Sequence, residues 1–167
     1  ILESGRKAIG CEWEMIDSLR SAVSKYVRLA EESGFTPKIQ KVATPFIDTS
    51  TVDPDEGLET GVLGSIAASI LMQVLYVARL ARFDLLKAIA MLASKISKWT
   101  RRCDKQLNRL MSYIQSTLEE VMLGYIGDPI EDLHLELYSD ADFAGDLGSR
   151  KSTSGIFLAL AGPNSFF

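Results

Sequence analysis

Asp140 and Asp142 stand two residues apart at the end of an alternating stretch, Leu133 to Ser139, with Gly145-Asp146 close behind. Carboxylates gathered at a strand end can grip divalent cations, the chemistry of metal-assisted phosphodiester cleavage. The same residue types also suit a solvated turn, and residue type alone favours the turn, above all for Asp142 and Asp146. A second group is cationic: Lys95, Lys98, Arg101, Arg102, Lys105 and Arg109, with Trp99 among them. On a helix the last four of these cations fall on neighbouring rows, an arrangement that can follow a phosphate backbone without reading bases. The alternative is a solubilising helix face.

Other chemistries lack their residues. The only histidine is His134, and the two cysteines, Cys11 and Cys103, are far apart, so zinc spacing is absent. The pattern around His134 reads as a surface or packing position on a strand. Ser152, Thr153 and Ser154 have no histidine nearby in sequence to make a hydrolase triad. Neither a GxGxxG nor a GxxxxGK[ST] loop occurs. Unpaired, widely separated cysteines fit reduced thiols and an intracellular protein. The chain starts at Ile1 and charges interrupt its first residues, so it reads as a piece of a longer or processed product without a signal peptide.

The elements that must position these groups follow from hydrophobic period. Of the 167 residues, 47% are apolar, enough for a core, and the net charge of −4 argues against a generally basic nucleic-acid protein. That average hides an asymmetry. Lys and Arg dominate from Arg79 to Arg109, whereas Glu119 to Asp146 carries only acids. Two surfaces with different partners, or two solvated faces, would give this pattern.

Apolar residues recur at three and four from Glu12 to Glu32, predicting an amphipathic helix that stops at Ser33-Gly34. Residues 37–60 hold three prolines and the acidic run Asp53-Pro54-Asp55-Glu56, predicting an extended, partly mobile linker. Gly61 to Ala81 predicts an apolar helix. Its core, Val62 to Ala78, approaches membrane-span length, but Gln73, two serines and the following Arg79, Arg82 and Asp84 favour a buried core helix. Asp84 is expected to cap a helix running to Ser97, and Thr100 to cap another through Leu118. Beyond residue 120 the period becomes two, predicting strands at Met122–Ile126, Leu133–Ser139 with a half-buried leucine face, and Ile156–Leu160. The expected class is α+β: segment 1–36 with the amphipathic helix, linker 37–60, a helical bundle at 61–120 and a small sheet at 121–167. Trp13 and Trp99 are expected core anchors.

One run of motifs is more specific. Tyr138-Ser139-Asp140-Ala141-Asp142-Phe143-Ala144-Gly145-Asp146, then Arg150-Lys151-Ser152-Thr153-Ser154-Gly155, resembles the opening of the ribonuclease H domain of copia-type retrotransposon polyproteins, Y-S-D-A-D-W-A-G-D…R-K-S-T-S-G. In the same order, Lys41 to Phe46 resembles the linker before the polymerase thumb in that family. Gly64 to Leu85 is similar to its G-S-L-L-Y-L…T-R-P-D-I segment, Leu107 to Thr117 to its K-R-I-L-R-Y-L-K-G-T helix, and Met122 to Tyr125 to its G-L-x-Y strand. The resemblance covers roughly residues 41–163. It implies a thumb-like bundle, a connection and a truncated ribonuclease H-like sheet.

The resemblance also implies function. The partners would be an RNA–DNA or DNA duplex and the remainder of the polyprotein, with Lys95, Lys98, Arg101, Arg102, Lys105 and Arg109 tracking phosphates. Asp140 would occupy the position of the first catalytic, metal-binding carboxylate of a two-metal nuclease. The family's Y-x-D-D polymerase signature and its S-S-T-E-A-E-Y helix are absent from this sequence. Magnesium serves the complete family enzyme, but one carboxylate is a poor magnesium site, so this fragment is expected to use no cofactor and to lack both activities. Phe83 and Phe143 replace a proline and a tryptophan of the pattern. The competing expectation is a non-catalytic structural or interaction subunit of a larger assembly, with membrane contact through the apolar helix as one form of it.

Overall fold

The computed structural model describes residues 7–47, 57–142 and 152–167. The chain is α+β and divides into two compact units, one formed by Trp13–Met122 and one by Ile1–Glu12 with Leu123–Phe167. Within residues 1–36 the described stretch Ile9–Trp13 is a strand of the sheet.

In the helical unit, α1 (Ile16–Glu32) buries Leu19, Ala22, Val23, Tyr26 and Ala30 along one stripe. It ends as the Ser33-Gly34 pair predicts. Gly34 takes φ +78°, its N–H reaches the Glu31 carbonyl at 3.0 Å, and the Phe35 N–H reaches the Ala30 carbonyl at 2.9 Å. That double closure satisfies carbonyls the helix leaves open, and the positive φ suits glycine. The apolar helix is α2 (Gly64–Ala81), which buries Ala67, Ile70, Leu71, Val74, Val77, Ala78 and Ala81 in the shared core. It is long and apolar enough to cross a membrane by length and composition, and in this fold it packs against α1 and its successor.

The region from Asp84 to Ser97 departs from expectation. Instead of one helix it forms a 3₁₀ turn (Phe83–Leu85), a short helix α3 (Leu86–Ala93) and a second 3₁₀ turn (Ile96–Lys98). Asp84 does not cap. Its two carboxylate oxygens accept from Arg82 Nε at 3.0 Å and Nη2 at 2.8 Å, which leaves them committed elsewhere. Thr100 does cap α4 (Arg101–Ser116): its backbone is extended and its hydroxyl accepts from the Cys103 N–H at 3.4 Å. Cys103, Leu107, Leu110, Met111 and Ile114 carry the buried stripe of α4.

The linker stretch 37–47 is pinned to α4. Asn108 of α4 accepts from the Lys38 N–H at 3.1 Å and donates to the Lys38 carbonyl at 3.0 Å. Ser116 accepts from the Val42 N–H at 3.1 Å. Polar side chains of α4 thus stand in for a backbone partner. The acidic run Asp53 to Glu56 lies outside the described residues.

The other unit is a five-stranded sheet in the order β1-β2-β5-β4-β3. Its strands are β1 (Ile9–Trp13), β2 (Met122–Ile126), β3 (His134–Asp142), β4 (Thr153–Gly162) and β5 (Ser165–Phe166). The pairs β2/β5, β5/β4 and β4/β3 are antiparallel. In the β3/β4 hairpin Leu135 faces Leu160, Leu137 faces Leu158 and Ser139 faces Ile156, so the aliphatic side chains share one face. That face was expected to be half-buried. Instead Leu135 is 69%, Leu137 67%, Ile156 76% and Leu158 58% exposed, because the described part of this unit is a single layer with no α-helix to cover it. Asp128 locks the turns at one end: it accepts from the Asn164 N–H at 2.6 Å and the Ser165 hydroxyl at 2.7 Å.

Candidate nucleic-acid interface

The basic residues sit where a buried latch fixes α4. The Asp104 carboxylate, 2% exposed, accepts from Trp99 Nε1 at 2.7 Å, the Leu63 N–H at 3.0 Å and the Val62 N–H at 2.9 Å. Two of these donors belong to the start of α2, so one side chain ties the two helix N-termini together. Losing that carboxylate strands three donors, at about 1–3 kcal/mol for each buried one left unpaired. Trp99 is a core anchor, as its residue type predicts, at 6% exposure.

Around this latch the Arg101 and Arg102 backbone N–H groups donate to the Glu59 and Gly57 carbonyls, both at 2.9 Å. The Arg101 and Arg102 backbone N–H groups are therefore satisfied within the fold, so an anion at this end of α4 would meet side chains rather than backbone. Arg101 and Lys105 are exposed one turn apart on α4, and Lys98 is exposed on the 3₁₀ turn before it. Lys95 and Arg102 are partly covered. Arg109 differs from the others: its Nε donates to the Thr44 carbonyl at 2.8 Å and its Nη2 to the Thr44 hydroxyl at 3.0 Å. The fold employs it to pin the linker. The six predicted cations thus separate into an exposed set (Lys98, Arg101, Lys105), a half-covered pair and a structural arginine.

Asp140 lies in β3, exposed, opposite Gly155. Among the described residues no group of three His, Cys, Asp or Glu side chains is placed to hold a metal. Asp140 by itself does not fit a two-magnesium centre. Phe143, Gly145 and Asp146 lie outside the described residues.

Sequence reasoning passed over two groups. One is Arg82, 3% exposed, which binds Asp84 and also donates to the Thr117 carbonyl at 2.8 Å and hydroxyl at 2.7 Å. Burial alone would lower the Arg82 pKa, but Asp84 and then Glu120 outweigh it and raise the value. Burial likewise pushes the Asp84 carboxyl up, and the bonded Arg82 guanidinium overrides this to hold it below the usual carboxylate range. The other group is a column on β3. Glu136 accepts from the Tyr138 hydroxyl and pairs with His134 at 3.0 Å, and the first, then the second, of these bonds holds its carboxyl low. The alternation of His134, Glu136, Tyr138 and Asp140 is visible in the sequence. Arg82 carries no comparable signal.

A shallow open depression of about 510 Å³ lies between α1 and α2, lined by Asp17, Ser18, Ser21, Gln73, Tyr76 and Val77. None of the predicted site residues borders it.

No family model matches the chain, and no solved structure matches it. Over 93 residues it is 36% identical to the secreted RxLR effector protein 161 of Plasmopara viticola, a match that takes in 53% of this chain. The match spans 61% of that protein's length, and its name carries no nucleic-acid or retrotransposon term.

Proposed function

We propose that the chain is a non-catalytic, duplex-binding piece of a copia-type reverse transcriptase/ribonuclease H, gripping the phosphate backbone of an RNA–DNA or DNA duplex through the exposed cations of α4. The observation that carries this reading is the pairing of exposed Lys98, Arg101 and Lys105 with a buried latch that holds the start of α4 rigid. Rigid placement lowers the ordering cost of binding, and ammonium and guanidinium groups at one-turn spacing suit a phosphate track. The ordered motifs from Lys41 to Gly155 supply the family, and Asp140 is an inherited position with no partner ligands among the described residues.

Titration of an RNA–DNA hybrid by fluorescence anisotropy at low salt tests it. Arg101→Glu/Lys105→Glu is expected to weaken binding at least tenfold. Arg28→Glu, on α1 and already paired with Glu32, is expected to leave it unchanged. Equal affinity of the α4 variant and the native chain would remove the reading.

A second reading has its own support. The exposed Leu135, Leu137, Ile156 and Leu158 suit a non-catalytic interaction subunit, with α2 a further apolar contact in a membrane-associated assembly. Under this reading the duplex titration is flat even at low salt.

A further inference from the structure

We infer that the outer edge of β3 is a self-association surface, pairing antiparallel with β3 of a second copy across a two-fold axis at Leu137. The strand ends the sheet order, and among the described residues its ladder partner is β4 alone. It runs nine residues, His134–Asp142, and contains neither lysine nor proline, two devices that commonly blunt a strand edge.

Charge decides which pairing such an edge can accept. In a two-fold antiparallel pair, residues directly opposite share a face, and like charges directly opposite destabilise. Centred on Leu137, the register sets His134 opposite Asp140, Leu135 opposite Ser139 and Glu136 opposite Tyr138. A hydrogen-bonding imidazole meets a carboxylate, a phenol meets a carboxylate, and no acid meets an acid. Centring on Glu136 puts Glu136 against itself. Centring on Tyr138 puts Glu136 against Asp140, and on Ser139 puts Glu136 against Asp142. Centring on Leu135 keeps only His134 to Glu136 of the strand paired. The Leu137 register is the one that pairs His134 through Asp140 without acid–acid opposition. It also brings the two Leu137 side chains, 67% exposed in the single chain, together on the aliphatic face.

The register makes a specific cross-linking test possible, because residues on the axis meet their own copies. In a Cys11→Ser background, which removes the exposed native thiol, Leu137→Cys places two thiols on Cβ atoms about 4.5–5.5 Å apart. Oxidation is expected to give a disulfide dimer of the full chain. Leu135→Cys alone is not expected to cross-link, but mixed with Ser139→Cys it is. Sedimentation over a concentration series is expected to show a reversible dimer weakened at least tenfold by His134→Glu and restored by His134→Glu/Asp140→Lys. Rescue separates the pairing from mere loss of fold. A chain that stays monomeric up to about 1 mM overturns the inference. So does cross-linking of Leu135→Cys as fast as Leu137→Cys, or a charge-swapped double variant no tighter than His134→Glu.

Discussion

Arg82 and Asp84 show how one buried charge can redirect a local preference. Asp84 has the residue type and position of a helix cap, yet its oxygens are taken by a guanidinium that is itself 3% exposed. Propensity describes what an aspartate can do with nearby backbone. It says nothing of a competitor that tertiary packing buries beside it. Thr100 caps as its sequence context predicts. The Arg82–Asp84 pair has a pH signature. A carboxyl whose folded pKa is depressed adds stability that is present above its unfolded pKa and is lost as pH falls through the folded one. The melting temperature is therefore expected to fall below about pH 4, the unperturbed aspartate range. Asp84→Asn is expected to be less stable at pH 7 and to lose less of its remaining stability on acidification. A melting series from pH 7 to pH 2 checks this, and parallel curves for the two proteins would contradict it.

At the scale of elements, periodic signals gave α1, α2, α4 and the strands β2 to β4 with boundaries shifted by a few residues. The failures have physical causes. Leu85, Ile89, Leu92 and Ile96 keep a helical period across a break, because 3₁₀ turns and a short helix can bury the same stripe. The strand β1 contains Gly10 and is largely exposed, and β5 is only two residues long, so both exist through pairing and leave no periodic trace. The leucine alternation of β3 revealed a strand, and its assumed burial did not hold, since period specifies faces and not what covers them. The junction of α2 and α4 supplies the element-scale prediction. A Cβ on Gly61 would lie 2.5 Å from the Thr100 carbonyl oxygen and 2.8 Å from Asp104 Oδ1. Neither atom can yield cheaply, because one is backbone and the other holds the latch. Gly61→Ala is expected to cost about 1–3 kcal/mol, read as a lowered urea midpoint. An unchanged midpoint would mean that the latch is not rigid.

For the whole molecule, composition and arrangement point in different directions. A chain of net charge −4 is not drawn to nucleic acid by its total charge, so the proposed duplex binding rests on the local placement of cations at α4. The sequence made the basic cluster legible but not its division. Arg109 looked like the next step of the phosphate track, and only the folded linker, with Thr44 against it, reveals a structural role. Duplex binding is the property that separates the proposed duplex-binding reading from the interaction-subunit reading. The most direct measurement is the salt dependence of hybrid-duplex affinity. With Lys98, Arg101 and Lys105 as the phosphate contacts, log K should fall with log salt at a slope of about −2 to −3, at roughly −0.9 per phosphate neutralised. Lys105→Gln should make that slope shallower by about one. A native slope near zero, or one that Lys105→Gln leaves unchanged, would contradict a phosphate track on α4.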